Sequence, residues 1–370
     1  MKRTKAVFIS SPALWEHGHG ATHPLKPERL KRTHDLLAAY HAFDPPNSHL
    51  IPPPLASDEE LCLFHAAEYV DAVRRLSQGD TSVPAWKYNF GPGDNPIWAG
   101  MYETERVKVG AALLAAEMIH TGQVDAAFSY SGGLHHAGPA LASGFCVFND
   151  AAVAIHWLLQ QGWRVAYIDV DGHHGDGVQD AFYDTDRVLT ISLHESGRHL
   201  FPGTGFVHEI GNGAGEGYSV NVPLPPYTDD ETYLWAFHEV VPPLVERFAP
   251  DIVVSQLGID THHRDPLTHL ALTTHGYVAL VETIKELAPR WLALGGGGYD
   301  ISVVPRGWTL AYGLMSEQTF DDVLPAAYRE RYGGERLHDP ANSGAVVGGR
   351  SAIRREVEET VASLKSLLEL

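Results

Sequence analysis

Arg164-Val-Ala-Tyr-Ile-Asp-Val-Asp-Gly-His-His-Gly-Asp-Gly177 is the stretch on which the fold turns. From Arg164 to Ile168 it is an apolar run of the kind that forms a strand buried on both faces, as in a parallel sheet. It then breaks into three acids and two histidines within eight residues, Asp169–Asp176. On an extended backbone residues i and i+2 share a side. Asp169, Asp171 and His173 can therefore converge where the strand ends. A helix cap at Asp176 needs one acid, not three. Carboxylates and a neutral imidazole are good ligands for zinc or ferrous iron.

Outward from this stretch the pattern repeats. Short apolar runs recur at Ala6–Ile9, Ala126–Tyr130, Val188–Leu193, Ile252–Leu257 and Trp291–Leu294. Helix-length segments lie between them, at Met101–Thr121, Asp150–Gln161, Asp229–Phe248 and Thr274–Leu287, with caps expected at Asn149 or Asp150, Thr228, and Thr273 or Thr274. Strand alternating with helix predicts an α/β fold, a three-layer α/β/α sandwich around a mostly parallel sheet. Ser77–Pro96 reads as a long irregular loop. Strand signals stop after about residue 320, so residues 1–320 are expected to form the catalytic domain. Residues 321–370 are then an extension whose last helix, with Val357, Val361, Leu364 and Leu368 at helical spacing, packs on that domain.

The runs end alike, in glycine and polar residues: Ser129–His136, His194–Gly197, Gly258–Asp265 and Gly295–Asp300 join Asp169–Asp176. In a parallel sheet these ends share one rim, where open α/β folds bind ligands. A catalytic zinc usually takes three protein groups, so a third ligand is needed. Gln256-Leu-Gly-Ile-Asp-Thr-His-His-Arg-Asp265 offers Asp260, with His262 and His263 as rivals; strand-end geometry favours Asp260. Ser131-Gly-Gly-Leu-His-His-Ala-Gly-Pro139 places His135 and His136 on a loop that can aim both inward, suited to proton transfer. Two solvated histidines on a surface loop would read the same way. Leu292-Ala-Leu-Gly-Gly-Gly-Gly-Tyr299 lacks the Lys-Ser/Thr of a phosphate loop, so its glycines are read as hinging Tyr299 into a narrow site, where a phenol can donate to an oxyanion.

Composition narrows the partners. The 370 residues carry 46 acids against 27 bases, a net charge of −19. Such a field repels phosphate backbones and anionic lipid, which argues against nucleic acid and membrane, and suits a basic peptide or an amine. Two cysteines, Cys62 and Cys146, exclude a disulfide framework and a cysteine zinc site. The opening Met1–Ser10 has too short an apolar run for a signal peptide, and no membrane span is expected, so a cytoplasmic location is anticipated. No pattern fixes an oligomeric state.

At these residues the sequence resembles the histone deacetylase superfamily, zinc amidohydrolases with an arginase-like fold. The resemblance runs in family order through His23–Arg29, Gly132–Asp150, Tyr167–Phe182, Thr190–Gly205, Gly217–Pro223, Gln256–Leu267 and Leu294–Tyr299. Ser192–Gly205 is most similar to the acetoin-utilisation deacetylases of prokaryotes, with class I histone deacetylases next. The resemblance implies Asp171, His173 and Asp260 as metal ligands, and His135 and His136 as tandem histidines partnered by Asp169 and Asp176. Tyr299 would polarise the substrate carbonyl. Phe145 and Phe201 would wall the acetyl-lysine tunnel, and the Gly144 carbonyl would bind the substrate amide. Leu267 and Asp94 would stand at the rim, and Arg29 beside an acetate exit channel. Structural potassium is implied at Asp169, Asp171, His173, Ser192 and Leu193, and again at Phe182, Thr185, Val188 and Tyr218.

The implied reaction is metal-dependent hydrolysis of acetyl-lysine to lysine and acetate, with His136 as general base and His135 as electrostatic support. The substrate would be an acetylated protein or peptide, such as an acyl-CoA synthetase. Arginases share the fold, but glycine at 175 and His262 two residues after Asp260 remove two carboxylates that their second metal requires. An acetylpolyamine amidohydrolase is the competing enzyme, and a non-catalytic acetyl-lysine binding module is the competing non-enzyme.

Overall fold

The computed structural model describes residues 5–341, 343–344 and 349–370. The expectation placed on Met1–Ser10 thus falls partly outside the described residues. Eight strands form one sheet: β1 (Ala6–Ile9), β2 (Ser48–Ile51), β3 (Ala126–Ser129), β4 (Val165–Asp169), β5 (Val188–Glu195), β6 (Ser219–Leu224), β7 (Ile252–Gln256) and β8 (Trp291–Leu294). Their order is β2-β1-β3-β8-β7-β4-β5-β6. Every pairing is parallel.

The interior strands are apolar throughout because both faces are covered. Ala6, Phe8, Phe128, Ile168, Ile191 and Val253 point to one core. Val7, Ile9, Ala127, Tyr167, Val254 and Leu292 point to the other. The helices Glu28–Ala39, Asp230–Phe248, Thr274–Leu287 and Val304–Met315 cover the first face, and Met101–His120 and Asp150–Gln160 the second. The architecture is three-layer α/β/α. Val357, Val361, Leu364 and Leu368 of the helix Arg350–Leu368 are buried in the first core, against Asp230–Phe248 and β6.

Two strands escape the apolar-run signal, β2 and β6, and both lie at sheet edges. Ser48–Ile51 is mostly open on its outer side, and Pro223 sits in β6, where an edge tolerates a missing N–H. The expected caps Asn149 and Thr273 do cap their helices, accepting from Ala152 N–H and from His275 and Gly276 N–H. Thr228 does not. Asp229 is the cap, accepting from Thr232 N–H, while the Thr228 hydroxyl donates to Pro225 O. Asp176 is not a cap either: it is the first helical residue of Asp176–Ala181, after Gly175.

The sheet places the site. The chain leaves β4 toward β5 on one side, and leaves β7 toward β8 on the other. Neighbouring strands with oppositely directed exits open a crevice at their carboxyl ends. Asp169 pairs with Gln256 across that boundary, so the segments that follow both strands face each other.

Candidate metal centre and catalytic site

Asp171 and His173 follow β4, Asp260 follows β7, and the crevice brings them together. One donor atom from each lies within 4.8 Å of the others. His173 Nδ1 stands 2.8 Å from Asp260 Oδ2 and 3.2 Å from Asp171 Oδ1. The remaining carboxylate oxygens are pinned. Gln256 Nε2 and Gly297 N–H each donate to Asp171 Oδ2 at 2.6 Å, and Gly172 N–H donates to Asp260 Oδ1 at 2.7 Å. Asp171 Oδ1, which also accepts from His173 N–H, Asp260 Oδ2 and His173 Nδ1 thus face one another.

This donor set fits a divalent cation. Two fully buried carboxylates share the site with one imidazole. Burial, and then the charge on Asp171, push Asp260 up to about 8, so the pocket calls for positive charge. Glycine is required where the cradle closes. A Cβ on Gly297 would lie 2.3 Å from Asp260 Oδ2, and one on Gly258 2.2 Å from Asp171 Oδ2. The rival ligands turn elsewhere: His262 Nε2 donates to Asp339 Oδ2 at 2.7 Å, and His263 Nδ1 to Leu272 O at 3.2 Å.

Beside the acids stand the tandem histidines. His135 Nδ1 donates to Asp169 Oδ2 at 2.8 Å and His136 Nδ1 to Asp176 Oδ1 at 2.7 Å, while their Nε2 atoms are 3.1 Å apart. Burial lowers both, but Asp169 and Asp171 outweigh it at His135 and raise it to about 9. At His136 burial, reinforced by the charge on His135, prevails over Asp176 and leaves it at about 4. Near neutral pH, His135 is an imidazolium donating at both nitrogens and His136 is a neutral base.

The loop bearing them is held by a helix start. Asp150 accepts from Gly133 N–H and Leu134 N–H, both at 2.9 Å, and Asn149 donates to Ala137 O at 3.0 Å. Tyr299 enters from the glycine turn. Its N–H donates to Asp265 Oδ2 at 2.8 Å, and its ring stands edge-on to Phe145 and to His173, with centroids 5.8 and 6.3 Å away. Burial, then the charges of Asp260 and Asp171, keep its phenol neutral well above the usual range.

Gly144 and Phe145 both adopt left-handed backbone, φ 50° and 71°. A Cβ on Gly144 would sit 2.3 Å from His136 Cδ2, so the chain presses against the base there. Asn95 Oδ1 accepts from Phe145 N–H at 3.1 Å and His19 Nε2 donates to Phe145 O at 3.0 Å, which pins the unusual conformation. Phe201, 44% exposed, meets the His136 ring edge-on at 5.0 Å. Leu267 is half-buried, its N–H donating to Asp265 Oδ1. Asp94 is exposed, and its carbonyl accepts from His23 Nε2. Arg29 is buried, donates to Gly296 O and Gly298 O, and lines a narrow cavity with His19, Lys108 and Ser131.

Of the residues considered for potassium, Ser192 pairs with Asp169 where β4 and β5 run together, Leu193 follows in β5, and Asp171 and His173 lie just beyond β4. Phe182 and Thr185 precede Val188, the first residue of β5, and Tyr218 immediately precedes β6. Gln256, Asp265, Asn95 and His19 were not singled out from sequence, and Asn149 and Asp150 only as helix caps. Of the first four, Gln256 alone carried a signal, a polar residue closing an apolar strand.

Residues 23–315 match the family model of the histone deacetylase domain. The acetoin utilization protein AcuC of Bacillus subtilis is 44% identical over 313 residues, covering 82% of this chain and 80% of that one. AcuC of Staphylococcus aureus strain MSSA476 is 40% identical over 338 residues, covering 89% and 86%. The crystal structure of an HDAC homologue from Aquifex aeolicus aligns with a TM-score of 0.88 at 32% identity, covering 98% of this chain and 100% of that one. A structure of an HDAC homologue complexed with SAHA aligns equally well. On this agreement of sequence, fold and site geometry, the chain belongs to the histone deacetylase family and is a hydrolase similar to the acetoin utilization proteins.

Proposed function

We propose that the protein hydrolyses the amide of acetyl-lysine in proteins or peptides, yielding lysine and acetate. The observation that carries this reading is the juxtaposition of the Asp171–His173–Asp260 cluster with the two histidine–carboxylate pairs, beneath Phe145 and Phe201. Asp171, His173 and Asp260 would hold one divalent ion, zinc or ferrous iron, whose Lewis acidity polarises a carbonyl and acidifies water.

His136 Nε2 carries no proton because Nδ1–H is committed to Asp176; exchanging the His135 Nε2–H for the attacking water, it takes the proton from that water. A C–O bond forms as the carbonyl becomes tetrahedral, and the Tyr299 hydroxyl donates to the oxyanion. His136 returns the proton to the nitrogen, the C–N bond breaks, and lysine leaves as the amine. His135, protonated and anchored by Asp169, supplies positive charge to the site throughout. Gly144 O, Asp94 and Leu267 would grip the substrate at the mouth, and Arg29 would meet the departing acetate. Structural potassium is proposed at the two backbone-rich clusters at Ser192–Leu193 and at Phe182–Val188 with Tyr218. An acetylated acyl-CoA synthetase is the protein substrate proposed.

The test is a panel of acetyl-lysine peptides, longer acyl-peptides and acetylspermidine, each with chelator and with zinc or iron restored. Turnover of the acetyl-peptide that a chelator abolishes and a metal restores is expected. Turnover of acetylspermidine but not of the peptide would make the enzyme a polyamine amidohydrolase. Binding of the peptide without turnover under any metal would make it a reader.

A further inference from the structure

The family match ends at residue 315, yet the chain beyond it reaches back to the site. Asp339 lies past the helix Ala326–Tyr332 and is 8% exposed. Its carboxylate accepts three hydrogen bonds: from Arg306 Nη1 on Oδ1 at 2.9 Å, and from His262 Nε2 and Thr274 N–H on Oδ2 at 2.7 and 2.9 Å. Its own N–H donates to Thr274 Oγ1, and its carbonyl accepts from His275 Nε2.

Two of these partners belong to segments that carry the site. His262 is two residues past Asp260, on the loop that also presents Asp265. Arg306 lies in the first turn of the helix Val304–Met315, seven residues past Tyr299, and its Nε donates to Ser302 O in the turn that joins them. Arg264 and Asp300 join the two segments by an ion pair at 3.0 Å, and Asp265 holds Tyr299 N–H. One carboxylate from the extension is therefore bonded to both sides of a junction between a metal-cluster residue and the tyrosine.

His262, His263 and Asp339 also bring donor atoms within 4.8 Å of one another, a spacing that a cation can bridge. Both Asp339 oxygens are already taken, however, and the Arg306 guanidinium at 2.9 Å opposes a second positive charge. The cluster is a hydrogen-bonded hub.

We propose that Asp339 is a positioning residue: through His262 and Arg306 it sets the Asp260 loop and the Tyr299 turn in register, which makes the C-terminal extension part of what shapes the site. This rests on the acetyl-lysine reading for its kinetic arm only. Phe145 and Phe201, which would wall the substrate tunnel, lie on segments that Asp339 does not touch, and only Leu267 at the rim shares the loop that it holds, so the effect falls mainly on kcat. Misplacement of reacting groups by about 1 Å can cost about 10²-fold in rate.

The test compares full-length wild type with D339N, D339E and L364A. Asparagine keeps the shape but leaves one oxygen for donors that now occupy two. Leu364 lies in the core under the terminal helix, so L364A loses stability without touching either loop. Measured are Tm, zinc retention against a chelator, and kcat and KM on an acetyl-lysine peptide. D339N should lower kcat about tenfold with KM within about twofold, and should release zinc at lower chelator concentration. D339E, which restores the charge, should recover part of both. L364A should lower Tm with kcat and zinc retention unchanged. Wild-type kcat and zinc retention in D339N would overturn the proposal, as would an equal loss of both in L364A. Should D339N not fold, H262A removes the bond from the Asp260 loop to Asp339, together with the acceptor for Arg264 N–H, and is held to the same outcomes. A wild type inactive on the peptide overturns the acetyl-lysine reading instead, and zinc retention in D339N then decides the positioning role.

Discussion

His135 and His136 are chain neighbours, yet their surroundings hold opposite protonation states, at about 9 and about 4. His136→Ala should therefore remove the base and lose about 10²–10⁴ in kcat/KM. His135→Ala should lose less, because the supporting charge goes while the base stays. The comparison belongs on kcat/KM profiles across pH, with metal content measured in each variant; a more damaging His135→Ala at every pH would exchange the two roles. Tyr299→Phe should lower kcat by about 10²–10³ and leave KM nearly unchanged, since in the proposed mechanism the hydroxyl acts on charge present only in the transition state. A near-wild-type kcat would make Tyr299 a packing residue. Asp171, His173 and Asp260 were legible because strand ends concentrate chemistry in short motifs. Gln256 and Asp265 were not read as site residues: their roles are hydrogen bonds to Asp171 and to the Tyr299 N–H, and the partners lie 85 and 34 positions away.

At the level of elements, the interior strands announced themselves because burial on both faces forces continuous apolar sequence. The edge strands β2 and β6 did not, since one side of each is unpaired and polar residues or proline are tolerated there. The helix Val304–Met315 was hidden for the opposite reason. It is buried nearly all round, and Pro305 and Gly307 among its first four residues read as a break; the absent Cβ of Gly307 makes room for Ile259 Cδ1. Helix starts also proved to do more than begin helices. Asp150, in the first turn of Asp150–Gln160, holds the backbone of Gly133 and Leu134 and so sets where the next two residues, the tandem histidines, point. Asp150→Asn replaces one acceptor oxygen with a donor facing another donor, which leaves a buried N–H unpaired at about 1–3 kcal/mol. Loss of that cost in Tm, together with at least a tenfold fall in kcat at unchanged metal content, is the expected outcome. A stability loss with full kcat would limit Asp150 to a structural role.

For the whole molecule, the candidate metal cluster joins segments far apart in sequence, with Asp171 and His173 on one side of the sheet's central boundary and Asp260 on the other. An ion that binds only this folded arrangement stabilises the entire chain, by about 4 kcal/mol at a thousandfold excess over Kd. For a chain of 370 residues that corresponds to about 5 °C in Tm. Chelation should lower Tm by that order, and restoring zinc or iron should recover it. Asp260→Asn separates the ion's contribution from the fold's. The amide keeps an oxygen for the Gly172 N–H but loses the Oδ2 that accepts from His173 Nδ1, so the ion-free variant should be about 1–3 kcal/mol less stable than ion-free wild type. It loses the anionic donor that faces His173 Nδ1, so added metal should no longer raise its Tm. Melting curves of both proteins with and without ion decide the matter: a full ion-dependent rise in Asp260→Asn would take Asp260 out of the ligand set.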